Sequence, residues 1–244
     1  MKKYKILIFD LDDTLIDNYN NSKYAFKKTV EFRDEIYSDI DFEKWYKIDK
    51  QFWKDRQDNL IKIPDKFKYE VGKRSEEFLN WLRAQRFLIY YDNKITLEEA
   101  INLNNIYMTA TTENIIPIDG AYETLQYLFK KGYKIVIATN GPSIACRDKI
   151  SKIGCESYIH AILSADMFGH MKPLKGFFEG IEKTMGNHNV DEYLIIGDSL
   201  KSDVGFAQNC GVDSCWFNRN NEQLNSGDMP TIIVNNLIEL IDLL

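Results

Sequence analysis

The sequence predicts an α/β protein with a parallel sheet and an all-helical insertion near its amino terminus, and three observations carry that prediction. From Pro117 onward, short apolar runs alternate with amphipathic stretches, the sequence form of repeated βα units. The run Tyr4-Lys5-Ile6-Leu7-Ile8 reads as another buried strand, and it leads straight into Phe9-Asp10-Leu11-Asp12-Asp13-Thr14-Leu15. Between these parts lies a segment with few glycines and one proline, whose apolar residues recur at helical spacing.

The elements follow in order. Helices are expected near 19–35, 41–60, 66–90 and 96–113, marked by faces such as Tyr24, Phe26 and Val30, then Trp45, Ile48 and Phe52. The aromatic residues Phe78, Trp81, Phe87, Tyr90 and Tyr91 invite a ligand-stacking role, but at this spacing they read as bundle core. Beyond them a helix over Asp119–Lys131 stops at Gly132, and Tyr133–Ala138 is a buried strand. Gly141-Pro142 opens the next helix, with the proline in its first turn and Gly154 as its stop. His160–Ser164 is a strand, Pro173–Met185 a helix, and Tyr193–Ile196 a strand ending at Gly197-Asp198. Lys201–Asn209 is a helix closed by Gly211, Ser214–Phe217 and Thr231–Val234 are strands, and the amphipathic Asn236–Leu244 packs its leucines and isoleucines on the sheet. The chain therefore divides into a core of residues 1–17 and 115–244 and an inserted helical domain of residues 18–114.

Composition sets limits on function. A chain of 244 residues with 44% hydrophobic and 28% charged content is long enough for one sizeable core plus a smaller unit. Net charge is −6 with the acids spread along the chain, which argues against a partner that is a nucleic-acid polymer and asks any phosphate-handling site for a metal or a few placed cations. The apolar run before Asp10 is too short for a signal-peptide core or a membrane span, so a cytoplasmic protein with no membrane partner is expected. Cys146, Cys155, Cys210 and Cys215 show no CxxC spacing and form no ligand cluster with His160, His170 and His188, so free thiols are expected.

Four loops carry the chemistry. Closely spaced carboxylates at the end of a strand repel one another unless a cation, a shared proton or hydrogen bonds relieve them. Asp10 and Asp12 therefore suggest a divalent metal beside one nucleophilic and one proton-shuttling carboxylate, although an acidic turn after an edge strand would also carry such acids. Thr139-Asn140-Gly141 places a hydroxyl and an amide ahead of a helix N-terminus, which suits phosphate oxygens and equally suits an ordinary turn and cap. Lys172, held extended by Pro173, could neutralise a phosphoryl group. Gly197-Asp198-Ser199-Leu200-Lys201-Ser202-Asp203 ends a buried strand with two more acids, of which Asp203 could also serve as a first-turn acid on the helix dipole. Acid pair, hydroxyl, lysine and acid pair arrive in order, each after a predicted strand, and the conjunction outweighs any one loop.

This ordered set resembles the four motifs of the haloacid dehalogenase superfamily of phosphohydrolases, and the likeness covers the whole chain, including a helical cap inserted after the first motif. Gly197 through Val204 and the tail Gly211-Val212-Asp213-Ser214-Cys215-Trp216-Phe217-Asn218 are most similar to the branch of pyrimidine 5′-nucleotidases that clear noncanonical nucleotides. The resemblance implies a Rossmann-like, three-layer parallel-sheet core with an all-helical cap domain. It implies Asp10 as nucleophile, Asp12 as general acid and base, and Thr139, Asn140 and Lys172 as phosphoryl-binding residues. It further implies Mg²⁺ held by the Asp10 carboxylate, the Asp12 backbone carbonyl and Asp198, with waters completing an octahedron. Asp203 would hold Lys172 or a metal-bound water, and Asp13 would only cap the turn.

The implied partner is a small phosphorylated metabolite, a nucleoside monophosphate ahead of a sugar phosphate. Sugar-phosphate phosphatases and phosphoglucomutase-type enzymes share every core motif, and a pseudoenzyme that only binds phosphorylated ligands is the non-enzyme alternative. Filled catalytic positions speak against the pseudoenzyme, and a phosphoacceptor receiver domain is much shorter than this chain and lacks the insertion. Dehalogenases need no acid for their leaving group, and Asp12 points away from them. Cap residues that could set specificity are Asn18, Asn21, Arg74, Arg83 and Arg86, each of which could equally be an ordinary helical charge or cap.

Overall fold

A computed structural model of the chain describes residues 4–67, 75–186, 188–224, 227 and 229–244, residue 57 by its backbone only. Two compact units emerge, Met1–Asn18 with Ile115–Leu244, and Tyr19–Asn114. Among the described residues six strands, β1 (Ile6–Phe9), β2 (Lys134–Thr139), β3 (Ala161–Ser164), β4 (Tyr193–Gly197), β5 (Asp213–Phe217) and β6 (Ile232–Val234), form one sheet of order β3-β2-β1-β4-β5-β6 in the first unit. All neighbours are parallel; Ile6 lies opposite Lys134 and Tyr193, and Phe9 opposite Ile137 and Ile196. The helices are α1 (Asn18–Phe32), α2 (Asp39–Gln57), α3 (Glu76–Tyr90), α4 (Leu97–Ala110), α5 (Ala121–Lys130), α6 (Ser143–Lys152), α7 (Ala165–Phe168), α8 (Lys175–Met185), α9 (Gly205–Cys210) and α10 (Glu239–Leu243). Among the described residues no helix is long and apolar enough to cross a membrane.

The two-residue period of a strand explains why the sheet is apolar throughout. Leu7, Phe9, Ile135, Ile137, Leu194, Ile196, Cys215 and Phe217 face one side, where Leu125 and Leu128 of α5, Ile150 of α6 and Leu240 of α10 cover them. Ile6, Ile8, Val136, Ala138, Tyr193 and Ile195 face the other, beneath Phe177, Phe178 and Ile181 of α8 and Phe206 of α9. A sheet buried on both faces by crossover helices is what the continuous runs predict, and the result is the three-layer Rossmann-like α/β fold.

The second unit is helical. Ser38, Ser75 and Thr96 cap α2, α3 and α4 through their side-chain oxygens, and Glu99 completes a capping box with Thr96. Its core is aromatic: Phe26, Phe42, Trp45, Phe87, Tyr90 and Tyr107 pack together, with the Trp45 and Phe87 rings stacked at 4.2 Å, and Phe52, Phe67, Phe78 and Leu82 form a second cluster. The aromatic residues of α3 are thus spent on packing.

Several boundaries differ from expectation. The helix expected from residue 66 begins at Glu76; Asp65–Phe67 is a single 3-10 turn, and 68–74 lie outside the described residues. Pro142 is the N-cap of α6, with ψ 140°, and lies outside the first turn. The helix expected over Lys201–Asn209 opens as a π-turn at Leu200–Val204, where the Val204 N–H reaches back five residues to the Ser199 carbonyl. The short helix α7, closed by left-handed Gly169, carries no periodic signal and was not anticipated.

Candidate active site

The strand order reverses beside β1, which has β2 on one side and β4 on the other, and such a switch point opens a crevice at the carboxyl ends of the strands. Asp10 follows Phe9 directly, and its backbone N–H still donates to the Ile196 carbonyl at 2.8 Å, so the sheet itself fixes this acid. Thr139 is the last residue of β2, Asp198 follows the last residue of β4, and Lys172 arrives from the loop after α7. All belong to the first unit.

Lys172 draws the loops together. Its buried ammonium donates to Asp10 Oδ1 and to Asp203 Oδ1, both at 2.6 Å. Asp203 also accepts the Ser199 N–H at 3.1 Å. Gly197 makes room for it, because a Cβ there would lie 2.2 Å from Asp203 Oδ2. Asn140 holds the Lys172 main chain at both ends, accepting its N–H at 2.9 Å and donating to its carbonyl at 3.2 Å. Its side-chain amide, expected to meet substrate, is therefore committed to bracing the lysine. The Lys172–Pro173 peptide is cis.

Two further residues tie the acids to the frame. The Thr14 hydroxyl accepts the Asp198 N–H at 3.1 Å and presents its own proton to Asp198 Oδ1 at 3.2 Å and Asp10 Oδ2 at 3.5 Å. The Trp216 indole donates to the Asp198 carbonyl at 2.8 Å. Thr139 turns its hydroxyl toward the following loop, accepting the Gly141 N–H at 3.0 Å. Asp13 sits at φ 66° and donates its backbone N–H to the Ile16 carbonyl at 2.8 Å, closing the turn. Asp12 is more open than Asp10, and its Oδ1 receives the ammonium of Lys149 on α6 at 2.6 Å. Sequence reasoning misses Lys149: a lysine on an amphipathic helix reads as a solvated charge, and only the fold shows it buried against a loop 137 positions away.

Four acids, Asp10, Asp12, Asp198 and Asp203, face two lysines, Lys149 and Lys172, so the site holds surplus negative charge. Burial pushes the Asp10 carboxyl up to about 7, against the pull of Lys172 and with the neighbouring Asp203 charge adding to the rise. Burial likewise raises Asp198 well above the usual carboxylate range, and the nearby Asp10 charge adds to it. For Lys172 burial works downward, but the attraction of Asp10 and Asp203 outweighs it and the ammonium is held charged. Asp10, Asp198 and Asp203 each offer a carboxylate oxygen, all within 4.8 Å of one another. An all-oxygen donor set with surplus charge and two strained acids fits a hard divalent cation.

Of the specificity candidates, Arg86 is buried in the helical unit: it is ion-paired with Asp49 and donates to Asn104 Oδ1 at 2.9 Å, which makes it part of that unit's core. Asn21 is buried too, Asn18 and Arg83 are partly exposed, and Arg74 lies outside the described residues.

The family model described as haloacid dehalogenase-like hydrolase matches residues 4–211. A pyrimidine 5′-nucleotidase of Streptococcus pneumoniae is 26% identical over 243 residues, covering 99% of this chain and 95% of its own. A glyceraldehyde 3-phosphate phosphatase of Pyrococcus furiosus is 27% identical over 217 residues, covering 89% and 82%. Among solved structures, that of a HAD-hydrolase of Bacillus subtilis bound to magnesium superposes with a TM-score of 0.84 at 24% identity, covering 99% of each chain.

Proposed function

The chain belongs to the haloacid dehalogenase-like hydrolases, and from that membership we propose that it is a magnesium-dependent phosphomonoester hydrolase with a preference for nucleoside 5′-monophosphates of the pyrimidine type. The observation that carries the reading is the bridge of Lys172 between Asp10 and Asp203, with Asp12 two residues further along the same loop. A strand-end carboxylate paired to a buried ammonium is a nucleophile fixed in place, and a second, more open acid two residues on can trade protons with a departing or arriving oxygen.

Asp10 attacks phosphorus while the bond to the leaving oxygen breaks, giving an aspartyl-phosphate. Asp12 protonates that oxygen, then takes a proton from the water that hydrolyses the intermediate, restoring Asp10 and releasing phosphate. Lys172 and the Thr139 hydroxyl grip phosphoryl oxygens, Asp203 and Asn140 hold Lys172, and Thr14 and Trp216 hold Asp198. The Asp10 and Asp198 carboxylates and the Asp12 main-chain carbonyl would hold magnesium. Bound there, the ion supplies the positive charge that lets a carboxylate approach a phosphate dianion. The acid role of Asp12 favours phosphate esters over carbon–halogen bonds, whose leaving group needs no proton.

The nucleotide preference rests on the end-to-end match to the Streptococcus nucleotidase, with the glyceraldehyde 3-phosphate phosphatases, at the same level of identity, as the competing class. A panel of pyrimidine and purine monophosphates, sugar phosphates and glyceraldehyde 3-phosphate tests it. Fastest release from pyrimidine monophosphates, abolished by EDTA, is the expected result. Preference for a sugar phosphate would move the assignment to that class, and no metal-dependent release from any ester would end the hydrolase reading.

A further inference from the structure

Lys149 is a buried cation that the mechanism above does not use. It projects from α6, and its ammonium lies 2.6 Å from Asp12 Oδ1, with its side chain 8% exposed. A buried lysine beside a single carboxylate fixes that carboxylate firmly, because departure of the carboxylate strands the ammonium away from water. Asp12 itself pairs with Ile16 in a β-bridge ahead of the 13–15 turn, which fixes its backbone, while its side chain is one-third exposed and takes its hold from Lys149.

We propose that Lys149 is a positioning residue for the proton-transferring step: it anchors Asp12 Oδ1 so that Oδ2 points to the leaving oxygen. The inference rests on the phosphomonoesterase reading. In the step concerned, the bond from Asp10 to phosphorus forms as the bond to the leaving oxygen breaks; the electron pair goes to that oxygen, which takes the proton from Asp12 Oδ2. Lys149 gives up no proton and touches no substrate. Its contribution therefore scales with how much the leaving group needs an acid: an alkoxide needs one badly, a nitrophenolate hardly at all.

The test compares kcat/KM for uridine 5′-monophosphate, an alkyl ester, with that for 4-nitrophenyl phosphate, an aryl ester. This ratio reports steps up to departure of the alcohol and leaves later hydrolysis of the intermediate out. Lys149→Met is expected to lower kcat/KM for the alkyl ester about tenfold or more, with about a twofold loss on the aryl ester. Lys149→Arg, which keeps a cation in place, recovers most of the alkyl-ester activity. In an Asp12→Asn background Lys149→Met adds no further discrimination, since the group it positions is gone. Lys149→Gln, which keeps a polar tip in the buried space, supplies the same comparison if the methionine variant does not fold. Equal losses on both esters, or no loss, with an active wild type would overturn the inference and leave the hydrolase reading intact. A wild type inert toward both esters would remove the reading beneath it.

Discussion

In the proposed mechanism Asp10 has to be buried enough to be held rigidly and charged enough to attack phosphorus, and the two demands conflict. Burial lifts its carboxyl to about 7 even with the Lys172 ammonium at 2.6 Å. Between the ordinary carboxylate range and 7 the folded, metal-free protein thus holds a proton that the unfolded chain has lost, so this group makes the apo protein less stable as pH rises through that window. A cation can bind only the ionised form, and below 7 it must first displace the proton. The rise in melting temperature on adding magnesium is therefore expected to be small at about pH 5.5 and larger at about pH 7.5, and differential scanning fluorimetry with EDTA controls checks it. An increment that is flat or falls across that range would contradict the account. Asp10→Asn is expected to lower turnover by about a thousandfold or more while the far-ultraviolet dichroism stays unchanged. The nature of these residues was legible in the sequence, because acids, a hydroxyl and a lysine in strand-end loops have few other uses in that order. Their supports were not: Lys149, Trp216 and the two-point hold of Asn140 on Lys172 join positions with no local signature.

Elements position the site through close approach as much as through charge. Gly197 ends β4 where Asp203 folds back against it, and the π-turn at Leu200–Val204 is what brings that acid round. Gly197→Ala is expected to cost about 1–3 kcal/mol of stability and to lower turnover, since Asp203 must shift and Lys172 with it; thermal melts and phosphate release measure the two effects. In the helical unit, Arg86→Met leaves Asp49 without its cation and is expected to cost about 3 kcal/mol with KM unchanged, the behaviour of a core residue. A raised KM at unaltered stability would make it a specificity residue instead. The strands were predicted to within a residue or two because parallel strands buried on both faces read as continuous apolar runs. Helix ends fared worse where side chains set them: Ser75 starts α3 by capping, and Asp203 and Ser199 remodel the start of the segment before α9.

At the scale of the molecule, the sheet order carries the function. Placing β1 between β2 and β4 sets the strand ends at 10, 139 and 198 side by side, and Lys172 then ties Asp10 to Asp203, residues from opposite ends of the chain. The sequence shows that strands and helices alternate, and by resemblance that they build a Rossmann-like parallel sheet. It does not show which residue of α6 turns inward, since that depends on packing against a loop distant in sequence. The phosphoryl half of the chemistry is thus written in the motifs, whereas the helical unit spends its most conspicuous aromatic residues on its own core. A phosphoryl group that passes through Asp10 leaves a covalent trace there, which mass spectrometry of protein acid-quenched during turnover of a phosphomonoester with magnesium detects after hydroxylamine capture of acyl phosphates. Modification at Asp10, absent without substrate, is the result expected; steady phosphate release with Asp10 unmodified, or with the label on another residue, would contradict it.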